Sequence, residues 1–410
     1  MMKRILSLSL VVLLLLPFCL TFTSCGEGGG ETVTLYVYNW GEYISDGSEG
    51  SMDVNAEFEA WYYEQTGKKV KVNYSTYSSN ESMFAKLQSG SVNYDVVVPS
   101  DYMIERMIEN DMLAELNFDN IPSIGNIHPD FYGPDAKYSY YDPEGKYSVP
   151  YMYGMIGIIY NTTMVDEADI GSWDLMWNEK YAANILQFNN SRDAFGTAQY
   201  YQGLDVNSKS EAEWREALAW LKDQKPILQG YVMDEIFNKM ENGSAAIAAY
   251  YAGDFLAMYE NNEDLDFFYP VEGTNLYGDA MCVPKSSQNK AIAEAYIEFM
   301  LTEAPAIANA EYTYYASPNI KVRENEEYKE YMDSIKEGGY ELMYGTDAVP
   351  TSSYKNLDAQ QLIMLNELWE ELKSDIDVGF VIYLICGIIL AILLGGGLFL
   401  GIRKKIRDHY

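Results

Sequence analysis

Two kinds of side chain recur where short apolar runs of this chain give out: aromatic rings and carboxylates. In "TLYVYNWGEYI" the run stops at Trp40 and Tyr43, with Glu42 between them. In "YDVVVPSDYMIERMIEN" it stops at Ser100, Asp101 and Tyr102, in "NILQFNNSRDAFGTAQYY" at Asn190 and Asp193, and in "GSAAIAAYYAGDFLAMY" at Tyr251 and Asp254. Rings offer flat apolar surface that also attracts cations, and carboxylates offer negative charge, so loops of this kind suit binding a solute. Glycan-binding clefts use the same two groups, but a glycosidase needs two carboxylates flanking one bond, and no such pairing is legible. Histidine is scarce: the chain has 2, His128 in a turn-like "HPD" and His409 near the end. Most Ser-His-Asp chemistry and most His-rich metal sites are thereby removed. No catalytic residue, metal ligand or cofactor is expected.

The elements that must position these residues follow one pattern, a short apolar run, a polar and aromatic loop, then an amphipathic stretch with a helix cap. Val96 to Val98 read as a buried strand, and the next stretch carries Met103, Met107 and Ile108 on one helical face. Strands and helices alternating in this way predict an α/β architecture with largely parallel sheets. Ligands of such sheets sit outside the carboxyl ends of the strands, which is where Trp40, Tyr43, Ser100, Tyr102, Asn190, Asp193, Tyr251 and Asp254 fall. Loops there are polar in any case, and Asp101 and Asp254 read equally well as helix caps. The shared placement of all eight carries the reading. The chain between the ends is too long for one ordinary core, so two domains are expected.

The ends carry their own signals. "MMKRILSLSLVVLLLLPFCLTFTSC" has a basic start and a short leucine-rich core, which predicts an export signal over 1–25. Thr23-Ser24-Cys25 resembles a bacterial lipobox, with Phe22 where a smaller aliphatic residue is usual, so Cys25 is a lipidation candidate; the alternative is ordinary cleavage nearby. A flexible tether is expected over 26–32. Near the C-terminus, 378–402 holds no charged residue and is long enough to span a bilayer, and "RKKIR" after it predicts a cytoplasmic basic tail over 403–410. The region between the two ends would then lie on the extracellular or periplasmic side of the cell membrane. Cys282 stands alone between Cys25 and the apolar run, so no disulfide is expected there. The formal charge of −33 argues against nucleic acid and favours cationic partners.

At "YNWGEY", "STYSSNESMFAKL", "YDVVVPSDYMIERM", "YSVPYMYGMIGIIYN" and "YYASPN" the chain resembles the polyamine-binding proteins that deliver spermidine or putrescine to bacterial ABC importers. The pieces occur in the family's order, and the resemblance covers about 34–373. It implies a two-lobed periplasmic-binding-protein type II fold, here with a C-terminal transmembrane helix. Lobe 1 would comprise 33–149 and 278–345, lobe 2 150–277, and a helical segment over 346–375 would pack across both. Hinge strands are expected near Ser148 to Tyr151 and Tyr277 to Ala280. The resemblance places Trp40, Tyr43, Ser100, Tyr102, Asp193, Tyr251, Asp254, Tyr277, Asp279 and Tyr315 at the ligand, with Asp279 the central acid. Asn190 stands where spermidine receptors have a second carboxylate, while "YAGD" resembles the putrescine receptors, so a short diamine should bind at least as well as spermidine. The family's late glutamine has no clean counterpart near Asn356. The implied partners are a polyamine and an ABC permease, with no nucleic acid and no cofactor, and with membrane attachment through the C-terminal span and the lipid. A sugar or other small-solute receptor of the same fold, or an exported glycan-acting protein, is the alternative.

Overall fold

The computed structural model describes residues 32–374. Ten strands lie there: β1 (Val33–Trp40), β2 (Val70–Tyr77), β3 (Val96–Val97), β4 (Ser148–Asn161), β5 (Ile185–Phe188), β6 (Leu228–Val232), β7 (Ile247–Tyr251), β8 (Leu265–Phe268), β9 (Thr274–Cys282) and β10 (Thr351–Ser352). Hydrogen bonds link them in the order β2-β1-β3-β9-β4-β7-β5-β6, with β8 on β4 and β10 on β9. β1 lies parallel to β2 and β3, and β5 parallel to β6 and β7. Two α/β lobes result, each with its own parallel sheet.

What joins them is the antiparallel pair β4 and β9. β4 pairs with β9 from Ser148 to Met155, then passes to β7 and β8 from Ile156 onward. All of β4 is buried, as its largely apolar composition between Ser148 and Asn161 suits a strand covered on both faces. Its register slips between Pro150 and Met152, directly opposite Asp279, so the strand is bent where it leaves one lobe for the other.

Four strands end in a helix on the cleft side: Asn80–Gln88, Asp101–Glu109, Ser191–Gln202 and Ala252–Asn261 follow β2, β3, β5 and β7. Ser79 and Asn190 cap the first and third of these through their side chains. The helix Ala359–Lys373, opened by a capping box of Asp358 and Gln361, buries Leu365, Leu368 and Leu372 in a cluster with Phe195, Trp214 and Leu218 of the second lobe. Just before it, Asn356 bonds to Arg106, Glu105 and Glu109 of the first lobe.

One part of the expected fold class is corrected. Among the described residues no helix is long and apolar enough to cross a membrane, so the fold described is the two-lobed α/β one, and the expected C-terminal transmembrane helix is not among its elements. Hydropathy over 378–402 prompted that expectation, and those residues, like the signal, Cys25, tether and basic tail, lie outside the described ones.

Candidate functional site

The strand ends face each other across a cleft between the lobes that encloses about 850 Å³ of empty space, part of it open to solvent. Trp40, Tyr43, Ser100, Tyr102, Asp193, Tyr251, Asp254, Tyr277, Asp279 and Tyr315 all line it, as does Asn190. The structure therefore brings together the ten residues that the resemblance places at the ligand, and Asn190 with them. Sequence reasoning passed over Tyr77, Asn80, Glu81, Asp234, Phe237, Tyr250 and Tyr354, which also line it, and treated Asp101 as a cap.

The centre is Asp279 on β9. Its carboxylate is 5% exposed and accepts the Tyr43 hydroxyl on Oδ2 at 2.7 Å, while Oδ1 is buried with no hydrogen-bond partner among the described residues. Tyr43 looks exposed in the sequence but is buried, its ring edge-on to Tyr315 at 4.8 Å. Tyr315 in turn lies on the backbone of Gly253: a Cβ there would come within 2.4 Å of the ring, which explains a glycine before Asp254. On the first lobe the Trp40 indole donates to Val98 O at 3.0 Å and packs on Tyr77. Asn80 donates to Ser100 Oγ and to Tyr102 Oη, and Tyr102 donates to Glu81 at 3.0 Å. On the second lobe Asp193 Oδ2 accepts from both Asn190 Nδ2 at 2.8 Å and Tyr251 Oη at 2.6 Å. Asn190 thus stands as a neutral donor to the acid three positions after it, and it also caps the helix by accepting from Asp193 N.

Neither carboxylate suspected as a cap serves as one. The N-caps of Asp101–Glu109 and Ala252–Asn261 are Ser100 and Tyr251, one position before Asp101 and three before Asp254. Asp101 is buried, with Oδ1 on Tyr102 N at 2.7 Å and Oδ2 facing Gly278 N at 3.4 Å. Asn356, where the family's glutamine was sought, does not line the cleft and is spent on the first lobe's helix.

Seven carboxylates line the cleft: Glu42, Glu81, Asp101, Asp193, Asp234, Asp254 and Asp279. Among the described residues no lysine, arginine or histidine joins them. Burial therefore pushes up the carboxyls of Glu42, Asp101, Asp193, Asp234, Asp254 and Asp279. Asp279 reaches about 6, with the charge of Asp193 adding to the loss of solvent. Asp101 and Asp254 reach about 8, Asp254 under the charges of Asp234 and Glu42 as well. Asp193 is raised by burial and partly held down by Tyr251 and Asn190. Arg192, next in the chain, does not line the cleft; its guanidinium sits 4.4 Å from the Tyr354 ring centre and donates to Val206 O and Asn207. Such an arrangement is built to receive positive charge from outside.

Residues 56–334 match the bacterial extracellular solute-binding protein family. The chain belongs to that family. It is a solute receptor of the periplasmic or extracellular side and not an enzyme. Over 291 residues it is 29% identical to the spermidine/putrescine-binding periplasmic protein of Escherichia coli, covering 71% of this chain and 79% of that one. The fold matches the spermidine/putrescine ABC transporter substrate-binding protein PotD of Streptococcus pneumoniae with a TM-score of 0.65 and 33% identity, over 83% of this chain and 98% of that one. It matches the Tp0655 (TpPotD) lipoprotein of Treponema pallidum with a TM-score of 0.68 and 26% identity, over 83% and 99% of the two chains.

Proposed function

We propose that this receptor captures polyamines in the cleft between its lobes and hands them to an ABC importer. The observation that carries the proposal is a cleft with seven carboxylates and, among the described residues, no basic side chain, walled by Trp40, Tyr43, Tyr102, Tyr251, Tyr277 and Tyr315. A linear polyamine is a methylene chain with ammonium groups at intervals, so it needs rings along its length and carboxylates at its charged points. Each ring over an ammonium contributes roughly 0.5 to 2 kcal/mol, and the carboxylates supply the neutralisation that a desolvated ammonium requires. A sugar would find too few neutral donors here and too much unbalanced charge.

Asp279 would meet an ammonium on its free Oδ1, Asp193 and Asp254 would take others, and the rings would cover the methylenes. Because Asn190 is a neutral donor to Asp193, a short diamine such as putrescine should bind at least as well as spermidine. Lobe boundaries at 33–149 with 278–345 and at 150–277, bridged by 346–375, make β4 and β9 the hinge about which the lobes close. Membrane attachment would run through a lipid on Cys25, in keeping with the lipoprotein named among the relatives; fatty-acid labelling lost in Cys25→Ala tests it. Titration calorimetry with putrescine, cadaverine, spermidine and a panel of sugars tests the function. Heat from sugars and none from amines would overturn it.

A further inference from the structure

We propose that Asp234 is a further specificity-determining residue of the cleft: with Glu42 it forms a carboxylate pair, one from each lobe, that a terminal ammonium of the ligand bridges at the cleft mouth. The proposal rests on the polyamine reading above.

Asp234 follows β6 on the second lobe and occupies the N-cap position of the helix Glu235–Glu241, yet its side chain makes no capping bond. The carboxylate is directed elsewhere, onto the backbone of the first lobe. A Cβ on Gly41 would lie 3.2 Å from Asp234 Oδ2, closer than nine in ten such contacts, so a glycine at 41 is what admits that oxygen beside Glu42. Glu42 itself holds φ at +49°, a conformation uncommon for a residue with a side chain, in the turn that carries Trp40 and Tyr43 to the cleft. Burial first, and then the charge of Asp234, raises the carboxyls of both Glu42 and Asp254. Two lobes thus present like charges to one another where they approach.

An independent feature of the cleft says what relieves this. Asp279 Oδ1 and Tyr277 Oη, both on side chains more than nine-tenths buried, have no hydrogen-bond partner among the described residues. These oxygens can accept N–H groups, and an ammonium brings three donors with a positive charge. A diamine long enough to place one ammonium near Asp279 has its second free to travel toward the mouth. There it would replace the repulsion between Glu42 and Asp234 with two attractions and favour approach of the lobes. A ligand with a single ammonium leaves that repulsion in place.

The test is Asp234→Asn, which keeps an equally good N-cap residue and removes only the charge. Calorimetry with putrescine, spermidine and the monoamine butylamine is run on wild type, Asp234→Asn, Glu42→Gln and the double variant. Asp234→Asn is expected to weaken putrescine roughly three- to tenfold, the range of a partly exposed charged hydrogen bond, and to leave butylamine nearly unchanged. Its putrescine affinity should also depend less on salt, as expected of a charge at the rim. The double variant should lose less than the product of the single losses, because both carboxylates hold one ammonium. Unchanged putrescine affinity in Asp234→Asn, or independent losses in the cycle, would overturn the pairing while wild type still binds amines. A wild type that binds no amine at all would overturn the polyamine reading and this proposal together.

Discussion

Replacing Asp279 with asparagine should move stability and affinity in opposite directions. Its carboxyl is pushed up to about 6 by burial, against 3.8 for the free side chain, so at pH 7 the empty protein holds it mostly ionised in an unfavourable place. At about 1.4 kcal/mol per tenfold change in proton affinity, that costs on the order of 3 kcal/mol. Asparagine keeps an oxygen for the Tyr43 hydroxyl and removes the charge, so the empty variant should melt several degrees higher at pH 7. Binding should suffer instead. Taking one partner from a buried ion pair costs roughly 3 to 5 kcal/mol, which is about a hundred- to several-thousand-fold in Kd. Asp279→Ala should lose as much affinity without the gain in stability, because Tyr43 Oη then has no acceptor. Thermal melts without ligand and calorimetry with putrescine measure both quantities. A lower melting temperature in Asp279→Asn with unchanged Kd would mean that Asp279 is a structural acid, and the site assignment would fall.

Three further outcomes follow from the same cleft. Asp101 and Asp254 are pushed up to about 8 and Asp279 to about 6, so the folded empty protein binds protons more tightly than the unfolded chain. Its stability should therefore fall as pH rises from about 4 to about 8, and polyamine affinity should rise between about pH 6 and 8, tenfold per unit for each proton released; affinity flat across that window in calorimetry would refute the coupling. Asn190→Asp keeps the helix cap but withdraws the amide donor from Asp193 and adds a charge, so competition titrations should show spermidine gaining on putrescine by about fivefold, and no change in their ratio would count against the assignment. Gly253→Ala drives a methyl to 2.4 Å from the Tyr315 ring, which should cost about 1 to 3 kcal/mol of stability and displace that ring from the cleft; normal binding with a normal melting curve would contradict the packing described.

Much of the cleft was legible because the rule that finds it is local. A strand that ends in a polar, aromatic loop before a helix can be read in about fifteen residues, and a parallel sheet places all such loops on one edge. Tyr43, Tyr102, Asp193 and Tyr251 were found that way, and the resemblance added Tyr277, Asp279 and Tyr315, which lie on or beyond the crossing strands. What local pattern could not supply was rank. Asp254 carried two readings, cap or ligand-facing acid, and Asp101 was read only as a cap, whereas the backbone places the caps at Ser100 and Tyr251 instead. Burial, which decides how costly each charge is, depends on partners far away in the chain: Tyr43 meets Asp279 across 236 positions.

Asp234 marks where sequence reading stops for a physical reason. Its own surroundings, "YVMDEIF", read as a helix start, and a cap is the ordinary use of an aspartate there. Its side chain makes no such bond, and what it does depends on how close a turn of the other lobe comes, which is set by the bend of β4 and the pairing of β4 with β9. The interlobe distance is a property of the whole fold, and a receptor that closes makes that distance its output. Residues that report on closure are therefore those a sequence hides best, and by the pairing proposed above the carboxylate facing Gly41 is one of them.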